Sequence, residues 1–407
     1  MPLQALRTAF EARFSADPVH FSRAPGRVNL IGEHTDYNDL PVLPMALQRE
    51  VRIALRPRDD GVVRLVNVLD EFEPVRFDLS PAIEKSPSGH WGNYVKAPAN
   101  ELARRFAIWR GFDGVVMSDV PVASGLSSSS ALVNAVGLAL ASLNEVALDP
   151  LEMAEVMAEA ERYTGTRGGG MDQAISMAAR KGHAARIDFA PLRMKHVMVP
   201  PEWCFVVADT GVRAEKSGAA QKAYNLRRAE CEEALEAVGA EAVNRGMMRS
   251  LPKRYPALLK GAGQERALEL GEAVLSGNLA RRYRHVVSEA RRVRDARETL
   301  IGADAMAFGD LMDASHGSLR TDYHVSSAEL DELCALAKEG GAAGARLTGA
   351  GFGGCIVALA ERSTLDGVLD ALTSGYFEPR HMARNLDDRL FIAVPSEGAT
   401  FSAFPAA

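Results

Sequence analysis

The chain has no apolar run near the roughly 18 residues that crossing a bilayer requires, so no membrane partner is expected. Residues 1–14 mix Arg7, Glu11 and Arg13 with apolar positions and lack the apolar core of a secretory leader; they read as a short surface helix. Cysteine is scarce. Cys204, Cys231, Cys334 and Cys355 lie far apart and form no Cys-x-x-Cys pair, which argues against structural zinc and against a disulfide framework. Buried small hydrophobes in a reducing cytoplasm are the expectation. A basic excess is missing too: the formal net charge of −6 speaks against nucleic acid as a partner. The one basic stretch, Ala280–Arg297, is interrupted by Glu289 and Asp295. Its Tyr283, Val286, Val287, Ala290 and Val293 recur near helical spacing, so a solvated helix face is expected there. There is no short repeat and no low-complexity tract.

What is present fits a mixed globular protein. Hydrophobic residues make up 47% and charged residues 25%, an ordinary soluble balance. At 407 residues the chain exceeds the usual size of one core, which predicts two domains; Val199-Pro200-Pro201 offers a break, giving 1–200 and 201–407. Strand-like runs (Gly114–Met117, Cys204–Ala208, Cys355–Leu359) alternate with helical stretches at Ala131–Leu143, Leu151–Tyr163, Gln221–Val238, Ala280–Leu300 and Ala328–Lys338.

Four segments carry chemistry. From Ala24 to Asn38 the chain packs Glu33, His34, Asp36 and Asn38 within twelve residues of Arg27. Acceptors and donors so dense on one loop suit a sugar's hydroxyls, although a polar surface loop reads equally well from composition. Pro121–Ser130 runs through Ser-Gly-Leu and four serines directly into the Ala131 helix, where backbone N–H groups, hydroxyls and the helix dipole attract an anion. It is not a Walker loop, and the protein-kinase HRD and DFG sets are absent. Gly349-Ala-Gly-Phe-Gly-Gly354 satisfies GxGxxG in form, but a strand follows it rather than a helix, so a dinucleotide fingerprint is rejected. Its glycines suit a close approach of backbone to a ligand or to another loop. Last, Asp172 follows Gly168-Gly-Gly-Met; it reads either as an acid beside a substrate or as the N-cap of a helix over Gln173–Arg180.

Taken in order, these segments resemble the GHMP kinases, and within them the galactokinase branch. Gly26–Asn38 is similar to the galactokinase signature, Ser124–Ser129 to the phosphate loop, and Leu347–Cys355 to the third family motif. Gly170–Gln173, Tyr224–Cys231, and Ser315-His316 through Asp322-Tyr323 match as well. The resemblance implies a two-domain α+β fold, with an N-terminal part like ribosomal protein S5 domain 2, a ferredoxin-like C-terminal part, and a site between them. It implies galactose and ATP as substrates, Mg²⁺ as cofactor, and transfer to the C1 hydroxyl. Asp172 then matches the catalytic acid position that takes the C1 proton, and Arg27 the arginine that stabilises the reacting charge. Glu33, His34, Thr35, Asp36 and Tyr224 match the sugar-binding positions. Ala123, Ser124, Gly125, Leu126, Ser127, Ser128 and Ser129 match the ATP loop, and Ser129 with Glu161 the metal positions. An aspartate is a weak base, and an arginine beside it weakens it further, so the proton would be accepted late, as the oxygen–phosphorus bond forms.

The sequence departs from the pattern in places. Leu40 stands where the signature usually has glycine, and Ala123-Ser124 where many relatives have further glycines. The serine run and the triple glycine look closer to the eukaryotic galactokinase and N-acetylgalactosamine kinase branch, whereas Tyr224 leans toward galactose. N-acetylgalactosamine kinase is thus the alternative activity, and a non-catalytic galactose sensor the alternative class. Against the sensor, Ser127–Ala131 is intact and Asp172 is present. A monomer is compatible with the sequence.

Overall fold

The computed structural model describes residues 3–213 and 218–405. Its strands are β1 (His20–Asn29), β2 (Pro44–Arg58), β3 (Val62–Asn67), β4 (Val75–Asp78), β5 (Gly111–Ser118), β6 (His183–Asp188), β7 (Arg193–Met198), β8 (Trp203–Asp209), β9 (Gly344–Leu347), β10 (Cys355–Glu361), β11 (Leu390–Ala393) and β12 (Thr400–Ala403). A six-stranded sheet runs β12-β1-β2-β5-β3-β4, antiparallel except for the β3–β5 pair. A four-stranded antiparallel sheet runs β11-β8-β10-β9. Numbered within that sheet the order is 4-1-3-2, the ferredoxin-like arrangement, with helices filling the two crossovers. β6 and β7 form a separate hairpin.

Helices cover the six-stranded sheet on one face and bury an extended apolar cluster against it. The helix read from Ala131 starts three residues earlier, at Ser128, and ends at Leu143 as expected. The next, Pro150–Glu161, opens on a reciprocal capping box between Asp149 and Glu152, with Pro150 in its first turn. It ends at Glu161, and Gly165 at φ 94° turns the chain away. The Gln221, Ala280 and Ala328 helices run Gly218–Asn244, Gly277–Ile301 and Ala328–Glu339. The N-terminal segment is helical over Leu3–Phe14 and tucks Leu6 and Phe10 beneath it; Met1 and Pro2 lie outside the described residues. All four cysteines are buried and free.

Two features differ from the sequence reading. The Gly277–Ile301 helix is not simply a solvated basic face: it buries Arg282, His285 and Glu289 alongside Tyr283, Val286 and Val293. And β8 opens the second sheet just past Pro200-Pro201, while the chain returns at its far end to lay β12 against β1 in the first sheet.

Candidate active site

Three loops meet at the end of β1. The register of β1 against β2 shifts between Pro25 and Arg27, a bulge that re-aims the strand as it enters the signature. Gly26 sits in that bulge, where a Cβ would lie 2.8 Å from the Leu126 carbonyl oxygen. Gly125 and Gly349 pack backbone to backbone: a Cβ on Gly349 would lie 2.6 Å from the Gly125 oxygen, and both residues hold positive φ. Gly349 therefore serves loop-on-loop approach, while Gly349 and Gly351 also line the cleft, so the segment answers to both uses the sequence left open. Beyond the signature the positive φ falls on Asp39 (60°), so position 40 needs no glycine. Leu40 uses its side chain to join the second apolar core.

Arg27 and Asp172 form the polar centre. Arg27 Nε donates to Asp172 Oδ1 at 2.7 Å, and its Nη1 donates to the Gly125 carbonyl at 2.5 Å. Ser127 Oγ donates to Asp172 Oδ2 at 2.6 Å. The N-cap reading of Asp172 does not hold: the helix is Met171–Ala178, Gly170 occupies its cap position, and Asp172 lies in the first turn with its carboxylate on Arg27 and Ser127. The serines likewise do not cap their own helix by side chain; the Ser127 hydroxyl is committed to Asp172.

Glu161 stands beside this pair, 8% exposed. Ser130 Oγ donates to it at 3.0 Å and lies 3.4 Å from Asp172 Oδ2, and Gln173 Nε2 donates to it as well. Ser130, whose hydroxyl bonds Glu161, stands next to the Ser129 named from sequence. Three-residue spacing could have found it, because it sets Ser130 on the same face as Ser127.

Arg27, Glu33, His34, Asp36, Glu161, Asp172 and Tyr224 line one cleft. Thr35 is not among them: its hydroxyl lies 2.9 Å from the Gly32 and Pro41 carbonyls and closes the loop on itself. Ala123–Ser129 lie off the cleft wall, behind Arg27 and Asp172 at the Ser128 helix N-terminus. Asp36 accepts from the Gly169 N–H at 3.2 Å; burial and the nearby Asp172 push its carboxyl up. Burial likewise raises Glu33 to about 7 against the opposing pull of Arg346 and Arg27. His34 is lowered to about 3 by burial, with His285 adding to it, so its ring is neutral. Its Nε2 faces the Ala350 carbonyl at 3.1 Å, an acceptor only, which puts the proton there. Nδ1 then accepts from Tyr37, whose hydroxyl lies 2.8 Å from that of Tyr323. The Tyr224 ring packs beside His34 and Tyr37, with centroids 5.6 and 5.3 Å away.

The signature loop is held from behind by residues that sequence reasoning missed. Glu289 accepts from the Gly32 N–H at 2.9 Å, Ser315 Oγ at 2.6 Å and Arg292 Nε at 2.6 Å. His285 Nε2 lies 3.1 Å from the Glu33 carbonyl. Arg346, fully buried, donates to the Asn29 carbonyl at 3.0 Å and lies 3.8 Å from the Glu33 carboxylate. Glu33 itself accepts from Gly349 N–H and from Asn29 Nδ2, so one carboxylate joins the first and third motifs.

Comparison with known proteins identifies the family. Residues 8–57 match the galactokinase galactose-binding signature, 93–180 the GHMP kinase N-terminal domain, and 296–378 the GHMP kinase C-terminal domain. The chain is 41% identical over 376 residues to a galactokinase of Chloroflexus aurantiacus, covering 92% of each chain. It is 37% identical over 397 residues to a galactokinase of Roseiflexus, covering 97% of this chain and 95% of that one. Among solved structures, Lactococcus lactis galactokinase complexed with galactose superposes with a TM-score of 0.84 at 31% identity, covering 98% and 99% of the two chains. Methanococcus jannaschii mevalonate kinase, at 17% identity and a TM-score of 0.60 over 93% and 98% of the chains, shares the fold.

Proposed function

The chain belongs to the galactokinase family of GHMP kinases and is an ATP-dependent sugar kinase, and from that premise we propose that it transfers the γ-phosphate of ATP to the C1 hydroxyl of galactose at the Arg27–Asp172 centre. One observation carries the assignment. The Asp172 carboxylate, held by Arg27 and Ser127, faces the same cleft as Glu33, His34, Asp36 and Tyr224, while the Ser128 helix begins directly behind it.

Phosphoryl transfer asks mainly for in-line placement and for neutralised charge on the transferred group. The unpaired N–H groups at the start of the Ser128 helix offer the nucleotide phosphates an anion site, and Arg27 adds a fixed positive charge beside it. Asp172 orients the C1 hydroxyl and takes its proton as the new oxygen–phosphorus bond forms. Asp36, Glu33 and Tyr224 give the remaining hydroxyls acceptors and a donor, and the neutral His34 fixes the wall beside them.

The donor set also fits Mg²⁺. That ion keeps several waters and takes one or two protein oxygens beside substrate phosphates. Glu161 with the hydroxyl of Ser129 or Ser130 supplies that much, and among the described residues no cluster of three metal-binding side chains offers a resident site. When bound with the nucleotide, the ion would offset phosphate charge.

Residues 1–200 and 201–407 remain our division of the chain, with the cleft between the two parts and β12 returning across it. Four free buried thiols support a reducing, cytoplasmic setting. No helix among the described residues is long and apolar enough to cross a membrane. A coupled ADP-release assay over hexoses and N-acetylhexosamines tests the substrate. Galactose should give the highest kcat/KM. A preference for N-acetylgalactosamine, or sugar binding without ADP release, would overturn the reading.

A further inference from the structure

The last segment of the chain crosses back to the catalytic helix. From Pro395 to Ala403 it makes a series of backbone bonds to the first sheet and to the end of the Met171–Ala178 helix. Ser396 N–H donates to the Ala46 carbonyl on β2 at 3.1 Å, and the Pro395 carbonyl accepts from Gly182 at 3.0 Å. Ala399 N–H donates to the Ser176 carbonyl at 2.7 Å, and Gly398 N–H to the Ala179 carbonyl at 3.0 Å. The chain then pairs with β1 as β12, Thr400 opposite Arg23 through Ala403 opposite His20.

A short helix leaves its final carbonyls without intrahelical partners. Here the returning segment meets the carbonyl of Ser176 and that of Ala179 just past the helix, while the Ala178 carbonyl accepts from His196 Nε2 at 2.8 Å. Ser176 lies one turn, about 6 Å along the axis, from Asp172. Its side chain adds a second tie, donating to the Pro25 carbonyl at 2.7 Å. Pro25 is two residues from Arg27. The helix that carries Asp172 and the strand that carries Arg27 are therefore fastened to each other and to the same third segment. The fit is close at Gly398: a Cβ there would lie 2.3 Å from the Met177 carbonyl oxygen and 3.0 Å from the Ala179 nitrogen. Both neighbours are backbone, so the strain could be relieved only by moving the helix or the segment.

We propose that residues 395–403 act as a strap that sets the spacing of Asp172 and Arg27, with Gly398 and Ser176 as positioning residues for phosphoryl transfer. The proposal rests on the catalytic assignment of Asp172 and Arg27. The strap touches the end of the helix and not the loop 33–38, so it bears on transfer rather than on sugar capture.

The test is a comparison of Gly398→Ala and Ser176→Ala in the full chain, reading kcat, KM for galactose and ATP, and the thermal midpoint. Misplacement of a reacting group by about 1 Å costs ~100-fold in rate, so Gly398→Ala should lower kcat by ~10- to 100-fold with both KM values within about twofold. Ser176→Ala, which adds no atoms, should lower kcat by roughly threefold to tenfold with the same KM pattern. If Gly398→Ala does not fold, Ser176→Ala carries the comparison. Wild-type kcat in the folded variants, or kcat and KM falling off together with the thermal midpoint, overturns the strap. Asp172→Asn is run beside them: if it keeps near wild-type turnover, the catalytic assignment fails first, whereas a dead Asp172→Asn with unaffected strap variants defeats the strap alone.

Discussion

Glu289 offers a way to test how the sugar loop is held. Its carboxylate is fully buried and accepts from the Gly32 N–H, Ser315 Oγ and Arg292 Nε at 2.9, 2.6 and 2.6 Å. Burial pushes the group up, but Arg292, His285 and Arg346 together hold it at about 2. Glu289→Ala leaves the Arg292 guanidinium and two donors without their acceptor. Removing one member of a buried ion pair costs ~3–5 kcal/mol, and that is the expected loss here. Glu289→Gln keeps an amide oxygen for Gly32 and Ser315 but turns an N–H₂ toward Arg292. One charge-assisted bond is lost, so about 1.5–3 kcal/mol is expected. Urea unfolding gives the stability, with unchanged m-values as the check on shared end states. Because Gly32 begins the turn into Glu33, KM for galactose should rise alongside. A Glu289→Ala protein with the wild-type unfolding midpoint and the wild-type galactose KM would show that Glu289 does not hold the loop.

Glu33 has its proton held more tightly in the fold than in the unfolded chain, since burial takes it from 4.5 to about 7. The native state then binds the extra proton between those values, so stability from this group is present below pH 4.5 and lost as pH rises through 7. The unfolding free energy of the wild type relative to Glu33→Gln should fall by about 3 kcal/mol across that window; a flat difference contradicts the burial argument. Arg27→Lys keeps the charge but gives up the fixed geometry that reaches both Asp172 and the Gly125 carbonyl. It should lower kcat by at least ~10-fold with a smaller change in galactose KM, and a raised KM with kcat unchanged would assign Arg27 to ground-state binding instead.

Much of this site was legible because its chemistry is local. Asp172, Arg27, Glu33, His34, Asp36 and Tyr224 each sit in a short motif, and the cleft gathers all six. The helix read as Leu151–Tyr163 runs Pro150–Glu161, one residue off at its start and two at its end; the Asp149–Glu152 capping box that sets its start was not read from the sequence. What stayed hidden depends on partners distant in sequence. Helical spacing shows that Arg282, His285 and Glu289 belong to one helix, but not that Gly32 and the Glu33 carbonyl lie across from them. Their charges made the helix look solvated, whereas each is buried against a partner. Thr35 looked like a sugar contact because its neighbours line the cleft, yet its hydroxyl serves the turn. The Asp172 cap reading failed for a similar reason: Gly170 takes the cap geometry, freeing the carboxylate for Arg27. The return of β12 left no trace in local pattern, since four residues paired to a strand nearly 380 positions earlier carry no periodic signal.

If Asp172 takes the proton of the sugar hydroxyl while other groups bind the substrates, its loss separates binding from transfer. Single-turnover ADP formation by Asp172→Asn, with galactose and nucleotide affinities measured by calorimetry on the same protein, tests it most directly. Both affinities should stay within a few-fold of wild type while the transfer rate falls by ~10²- to 10⁴-fold. A transfer rate near that of the wild type, with both ligands bound, would contradict it.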